Sequence, residues 1–338
     1  MPCDARDPVK DPDRLTRNLL DRYGIVAALL VMIVVLTILR PAYFPTVGNL
    51  TNVARQISFN AMLALGQFIV ILTAGIDLSV GSVAALSMVT LALATHSGLP
   101  DALSLLVALG VGTLAGLLNG LGLTRLRLPH PFIATLAMLN IARGITYLIS
   151  DGVPISGLPP GLRWFGSSDI RLWGEGDKLV AIPVSLIVVI VAYGLAWVFL
   201  VRSRTGRHIY AVGGNPQAAR HAGINVDRVL NIVYVLCGLT AAMGGILLAG
   251  RTNSGYPNAG TGAELDAIAA VIIGGASFFG GRGTVGGTFV GVLIMGLLRN
   301  GLNLMDVSSF WQMVVIGVVI VLAVFIDVLR QRASQQAR

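Results

Sequence analysis

The side chains able to do chemistry in this chain are few, and most of them interrupt apolar runs. Four amides, Gln67, Asn119, Asn140 and Asn300, lie within or near such runs. Two glycine-rich boxes hold another set, Gly75-Ile76-Asp77-Leu78-Ser79-Val80-Gly81-Ser82 and Gly280-Gly281-Arg282-Gly283-Thr284-Val285-Gly286-Gly287. Amides and hydroxyls donate and accept hydrogen bonds, so two roles are open to them: fastening helix to helix, or lining a path for a polar solute. Facing lipid would be costly, which predicts that all four amides turn inward. Asp77 and Arg282 occupy corresponding places in the two boxes and could pair, or each could meet water and headgroups. Glu264 and Asp266 could be imagined as paired carboxylates. Flanked by Ala263, Leu265 and Ala267, they read more simply as helix-start charges favoured by the dipole.

Catalytic machinery is not evident. A phosphate-binding loop needs Gly-Lys-[Ser/Thr], and the two lysines, Lys10 and Lys178, lack that context. There is no Gly-x-Ser-x-Gly elbow and no His-Glu-x-x-His pair. Cys3 and Cys237 offer neither a disulfide framework nor metal spacing, and His96, His130, His208 and His221 are scattered. The expectation is a chain that is not an enzyme and binds no cofactor or metal of its own.

The elements that must position these residues belong in lipid. Of 338 residues, 55% are hydrophobic and 12% charged, where a soluble domain carries about 25% charged residues. The mean hydropathy is +0.79. The fold class is therefore all-α, a polytopic membrane bundle. A net charge of +8 could suggest nucleic acid, but the arginines sit at the ends of apolar runs rather than on one amphipathic face, so no nucleic-acid partner is expected. Both boxes share Gly-x-x-x-[Ser/Thr]-Val-Gly-[Ser/Gly] and read as helix breaks. Their glycines let the backbone turn or approach closely, their hydroxyls satisfy freed amides, and they must face protein or water rather than lipid.

Ten apolar runs follow, about ten transmembrane helices if every run crosses: Tyr23 to Leu39, Ile57 to Ala74, Leu78 to Ala94, Leu103 to Leu123, Phe132 to Ile149, Val180 to Val201, Val229 to Leu248, Leu265 to Phe279, Val285 to Leu302 and Phe310 to Leu329. Residues 1–22 are too polar for a cleavable signal, and Arg14, Arg17 and Arg22 predict a cytoplasmic tail. Residues 23–329 form the membrane domain and residues 330–338 a second cytoplasmic tail with Arg330 and Arg332. The alternation then places Arg125, Arg127, the 202–227 loop and Arg282 inside. It places Ser150 to Lys178 outside, where Pro154, Pro159, Pro160, Trp164 and Trp173 suggest a structured loop.

The 202–227 loop is the longest polar stretch expected on the inside. Pro216 can start a helical turn that Gln217, Ala218, Ala219 and Arg220 continue and Gly223 stops, after a turn at Gly213-Gly214-Asn215. Five arginines, Arg202, Arg204, Arg207, Arg220 and Arg228, lie in or beside it. A solvated positive-inside loop is one reading. The turn and the compact apolar residues Ile209, Val212, Ala218, Ala219 and Ile224 favour the other, a docking element for a cytoplasmic partner.

Several of these segments carry a family resemblance. Gly75 to Gly81, Phe132-Ile133-Ala134-Thr135-Leu136 with Arg143-Gly144, Ile209 to Asn215 with Ala218-Ala219 and Gly223-Ile224, and Asn300-Gly301-Leu302-Asn303 are similar to the permease subunits of bacterial monosaccharide importers of the ATP-binding cassette class, the ribose and xylose type. The likeness runs from about Leu50 to Asp327. The resemblance implies an inner-membrane subunit with both termini cytoplasmic, a second permease copy in a homodimer, and a periplasmic sugar-binding protein. It also implies a separate ATPase, which would carry the ATP and Mg. Gly213, Gly214, Asn215, Ala218, Ala219, Arg220, Gly223 and Ile224 would match the coupling helix. A translocation path or helix break would involve Gln67, Gly75, Asp77, Ser79, Gly81, Asn119, Asn140, Arg282, Thr284 and Asn300. The chain departs from the family pattern at Ile316, where lysine is common, and at His221-Ala222, and the sugar stays open. A branched-chain amino acid permease of the same class is the nearest alternative. An ion-coupled transporter would be expected to bury more ionisable residues in its spans.

Overall fold

The structure, a computed structural model, describes the backbone of residues 12–173 and 180–336 and the side chains within 24–173 and 181–328. Cys3, Lys10 and Lys178 lie outside the described residues, as do the side chains of Arg14, Arg17, Arg22, Arg330 and Arg332.

Each of the ten apolar runs is helical, in whole or in part. The helices are α1 (Pro12–Leu39), α2 (Val47–Ile71), α3 (Val80–His96), α4 (Asp101–Thr124), α5 (Pro131–Ser150), α7 (Val184–Arg202), α10 (Val226–Thr252), α11 (Ala263–Ile273), α12 (Val285–Leu304) and α13 (Ser309–Gln336). Three more, α6 (Pro160–Ser167), α8 (Arg204–Gly214) and α9 (Pro216–His221), lie in the connections. By length and composition α2, α4, α5, α7, α10, α12 and α13 can each cross a membrane. Helix α3, with 17 residues, falls just short of that length, and the run Leu265 to Phe279 falls far short. Its helix α11 has 11 residues, about 16 Å at 1.5 Å per residue, roughly half of the hydrocarbon thickness.

The segment before α11 explains its shortness. After α10 the chain turns back into the bundle beside α3: the Cβ position of Gly255 lies 3.0 Å from Val89 Cα, and that of Gly260 lies 3.0 Å from Gly81 Cα. Residues 254–262 therefore re-enter along α3, and α11 starts level with the first turn of that helix. Gly260, at φ +68°, combines a left-handed backbone with an approach that leaves no room for a side chain.

Helix α10 is the hub, packing on α2, α3, α4 and α6. Lipid tails are as apolar as leucine, so helix association in a membrane depends on close packing rather than on hydrophobic transfer. Small residues supply that closeness here. Gly112, Gly116 and Gly120 recur every fourth residue on α4 and face Ala242, Gly238, Tyr234 and Asn231 of α10; a Cβ on Gly112 would stand 2.6 Å from Gly238 O. Around this seam α2, α3 and α10 bury Met62, Leu63, Phe68, Met88 and Tyr234, while α1 and α13 expose apolar faces.

At the end of the bundle opposite α8 and α9, the described residues of the long connection after α5 are structured, as its prolines and tryptophans predict. Strand β1 (Ile155–Ser156) pairs antiparallel with β4 (Ser254–Gly255), and β2 (Asp169–Trp173) with β3 (Val180–Pro183). Asp169 is fastened to α2 through an ion pair with Arg55. Gly166 of α6 fits against the backbone of Gly250 and Leu247 in α10.

Candidate functional site

Both glycine boxes are broken backbone, and they close in the same manner. At the end of α2, Ala74 N donates to Ile71 O at 2.9 Å and Gly75 N to Val70 O at 3.2 Å. After α11, Gly275 N donates to Ile272 O at 2.9 Å and Ala276 N to Val271 O at 3.2 Å. This paired pattern satisfies carbonyls that a helix end would leave unbonded, and it needs a left-handed residue, Ala74 at φ +57° and Gly275 at φ +85°. Each break ends on a hydroxyl residue, Ser79 before α3 and Thr284 before α12. Thr284 Oγ1 accepts from Gly287 N at 3.0 Å, which caps α12. Ser79 Oγ instead turns to Asp77. The shared Ser/Thr-Val-Gly marks the same local event twice, with a longer loop in the second box.

The two breaks meet at one point, and a third element joins them there. Gly281 N donates to Leu72 O at 2.9 Å. Gly213, in the last turn of α8, lies against both groups: a Cβ there would overlap Leu72 O and stand 2.6 Å from Gly281 N. Tyr210, one turn earlier, donates its hydroxyl to Gly283 O at 3.1 Å. The end of α8 thus sits between the break after α2 and the break before α12, held by backbone contacts.

Beyond this junction the chain forms a short external helix. Asn215 ends α8 and caps α9, with Oδ1 accepting from Gln217 N and Ala218 N, each at 3.0 Å. The expected turn at Gly213-Gly214-Asn215 is corrected here. The two glycines complete α8, because Gly213 must approach backbone, and Asn215 alone makes the corner. Pro216 begins α9, and Gly223 at φ +79° stops it, with Ile224 N donating to Ala219 O at 3.0 Å and Gly223 N to Arg220 O at 3.0 Å. Ala219 is buried and Ile224 half-buried, both against the core, whereas Gln217 and Ala218 are exposed. Arg220 is drawn back toward Asp227 at 3.5 Å. Ala219 thus turns one side of α9 to the core, and Gln217 and Ala218 stand open to a partner.

The polar interior lies just inside the first break. Asp77 is buried, accepting on Oδ1 from Ser79 N at 2.8 Å and Ser79 Oγ at 2.6 Å, and on Oδ2 from Asn119 Nδ2 of α4 at 3.3 Å. Asn119 also donates to Ser79 Oγ at 3.0 Å. Gln67 of α2, oriented to satisfy both ends of its amide, bonds Asp77 O at 2.9 Å and Asp77 N at 3.2 Å. Gly75 is confined here, since a Cβ on it would stand 2.8 Å from the Tyr234 hydroxyl of α10. Gly81 lies against Gly260, its Cβ position 2.6 Å from Glu264 Oε2.

The remaining expected residues lie elsewhere. Asp77 and Arg282 do not form an ion pair: the buried carboxylate accepts from Ser79 and Asn119, while Arg282 is exposed beside the α8 junction. Asn300 pairs amide to amide with Asn49 of α2, at 2.8 and 3.1 Å. Asn140 is not interior. It is exposed on α5, and its only side-chain bond is Nδ2 to Leu136 O at 3.0 Å. Asp266 accepts from Arg299 of α12 at 2.5 Å rather than pairing with Glu264. Asn49, Tyr210, Leu72 and Arg143 were missed. Tyr210 and Arg143 belong to the segments that carry the family resemblance, yet nothing in their spacing names a backbone carbonyl as partner.

A helical membrane bundle with two broken helices, both held from one end by an external helix pair, has the architecture of a membrane-transport subunit. Comparison with known proteins agrees. The family model described as "Branched-chain amino acid transport system / permease component" matches residues 49–324, and the chain belongs to this family. It is 42% identical to the ribose import permease protein of Bacillus subtilis (strain 168) over 310 residues, 92% of this chain and 94% of the relative. It is equally 42% identical to the Escherichia coli (strain K12) ribose import permease protein over 89% of this chain and 91% of that one. The D-allose transport system permease protein of E. coli (strain K12) is 37% identical over 91% of each. No solved structure matches the chain.

Proposed function

We propose that this chain is the permease subunit of a monosaccharide importer of the ATP-binding cassette class. It lies in the bacterial inner membrane with both termini and the α8–α9 corner on the cytoplasmic side. The observation that carries the reading is the wedge of α8 between the two breaks. A partner that moves α9 moves Gly213 against Leu72 and Gly281, the ends of the two broken segments. Such a partner would be an ATP-hydrolysing subunit carrying the ATP and Mg, docked on the open face of α9 around Gln217 and Ala218. A periplasmic sugar-binding protein would deliver the cargo to the opposite end, and a second copy of the chain would complete the path. The sugar reading, rather than the branched-chain amino acid one, is supported by relatives named for ribose and D-allose import.

The test is reconstitution in proteoliposomes with the candidate ATPase and binding protein. Accumulation of labelled pentose or hexose that depends on internal ATP is expected, with unlabelled leucine failing to compete. ATP-driven leucine uptake without sugar uptake would replace this reading by the amino acid one.

A further inference from the structure

The re-entrant segment and α5 together build a polar surface at membrane depth. Arg143 is the thirteenth of the 20 residues of α5, about 18 Å along the helix from Pro131, well inside a hydrocarbon layer about 30 Å thick. Asn140, Arg143, Gly144 and Tyr147 follow the i, i+3, i+4, i+7 spacing of one helix face. Arg143 Nη1 donates to Pro257 O at 2.6 Å and to Ala259 O at 2.9 Å. The other guanidinium nitrogens have no hydrogen-bond partner among the described residues. Tyr147 donates its hydroxyl to Asn258 Oδ1. The Glu264 carboxylate, beside Gly81, lies within electrostatic reach of Arg143. Asn140, Gly144, Tyr147, Tyr256 and Asn258 are exposed, and a Cβ on Gly144 would meet nothing within 4 Å.

Lipid cannot be what this face meets. A cation at the centre of a span costs about 2.5–3.5 kcal/mol even on insertion scales, and irregular backbone at that depth is tolerated only against protein or water. The adjacent face of the same helix, with Ile141, Ile145 and Leu148 exposed, has the composition that lipid requires. The helix therefore has two outward faces with different solvents.

We propose that Asn140, Arg143 and Tyr147 of α5, with Asn258 and Glu264 of the re-entrant segment, form the surface along which the cargo passes, and that this surface recognises a neutral polyhydroxyl molecule. This rests on the sugar-importer reading. One positive and one negative group give no net preference for a charged solute. The amides, the phenol and the free guanidinium N–H groups supply donors and acceptors for hydroxyls, and the Tyr147 and Tyr256 rings supply apolar faces for C–H groups. Much of this capacity is already engaged within the chain, so binding is weak, as passage requires.

Single cysteines in a Cys3→Ser, Cys237→Ala chain read the two faces directly. With the assembled complex in vesicles, Asn140→Cys, Gly144→Cys and Tyr147→Cys should react with a membrane-impermeant thiol reagent at least tenfold faster than Ile141→Cys, Ile145→Cys and Leu148→Cys. In parallel, Tyr147→Phe and Asn140→Leu should each lower ATP-driven sugar uptake at least tenfold at equal co-purification with the ATPase. Ile145→Leu should transport as the unaltered chain does. Equal labelling of both faces, or unchanged uptake in both polar variants, would overturn the inference while sugar uptake by the unaltered complex upheld the function. Absence of sugar uptake by the unaltered complex, with the labelling contrast intact, would overturn the function and with it a sugar as the occupant.

Discussion

Gly213→Ala, compared with Gly214→Ala, isolates the junction of α8 with the two breaks. Both residues lie in the last turn of α8. A methyl on Gly214 meets nothing within 4 Å, whereas on Gly213 it overlaps Leu72 O and stands 2.6 Å from Gly281 N. Both obstructing atoms are backbone, so no rotamer change relieves the clash. Forcing one carbon into a packed site costs typically about 1–3 kcal/mol. Separating Gly281 N from Leu72 O adds the loss of a hydrogen bond, about 1 kcal/mol. Alanine is a better helix former than glycine by about 0.8–1 kcal/mol, and this favours both variants equally. The net expectation is about 1–3 kcal/mol against Gly213→Ala and a neutral or slightly favourable Gly214→Ala. If that cost falls on the coupled state, sugar-stimulated ATP hydrolysis in proteoliposomes drops about 5- to 150-fold, at 1.4 kcal/mol per factor of ten. If it falls on the fold, the detergent-solubilised subunit melts lower. Identical melting and identical stimulated hydrolysis in the two variants would refute the wedge.

The other substitutions probe the same corner and the interior. Ala218→Glu should leave the melting temperature of the subunit unchanged, since surface changes usually stay within about 0.5 kcal/mol, yet abolish ATPase co-purification. Ala219→Glu should destabilise the permease itself, because Ala219 is buried and a carboxylate there is desolvated without a partner; equal melting temperatures would contradict this assignment of faces. Gly81→Val should impair folding or transport through its clash with Gly260, while Gly317→Val, which meets nothing within 4 Å, serves as the neutral control; equal expression and uptake would remove any structural role for the first box. Tyr210→Phe should lower stimulated hydrolysis alone but add nothing to Gly213→Ala, because a displaced α8 has already lost the bond to Gly283; additivity within about 0.5 kcal/mol would mean independent contacts.

The elements of this fold were legible because lipid imposes long apolar helices, and the two breaks because only glycine and capping hydroxyls make them tolerable. Legibility failed where position depended on tertiary packing. Gly213-Gly214 looked like a turn, since glycine's preference for turns is local, whereas its use here is to admit Leu72 from α2. The repeated Gly112, Gly116 and Gly120 blend into a glycine-rich composition, although their spacing of four is the signature of a close helix seam. Asn140 was expected inside on the rule that polar groups avoid lipid. The rule holds for the hydrocarbon face of α5, but one chain does not reveal which of its surfaces meets hydrocarbon. Asp77 and Arg282 shared a motif position without sharing a location, since equivalent places in two breaks lie on different segments of the junction.

Force applied at α9 has a short route inward because the junction is made of main chain. Side chains absorb displacement by changing rotamer; the Gly213, Leu72 and Gly281 backbones have no such freedom, and packed interiors transmit strain rather than dissipate it. From Leu72 the first break leads within five residues to Asp77, whose main chain bonds Gln67 of α2 and whose carboxylate accepts from Ser79, which precedes α3, and from Asn119 of α4. From Gly281 the second break runs back to α11 and the re-entrant segment, which carries the carbonyls held by Arg143. A movement of α8 therefore reaches both the buried amide network and the wall of the polar stripe through one contact. Neither break can shift independently while the Gly281 to Leu72 hydrogen bond and the Gly213 contact persist.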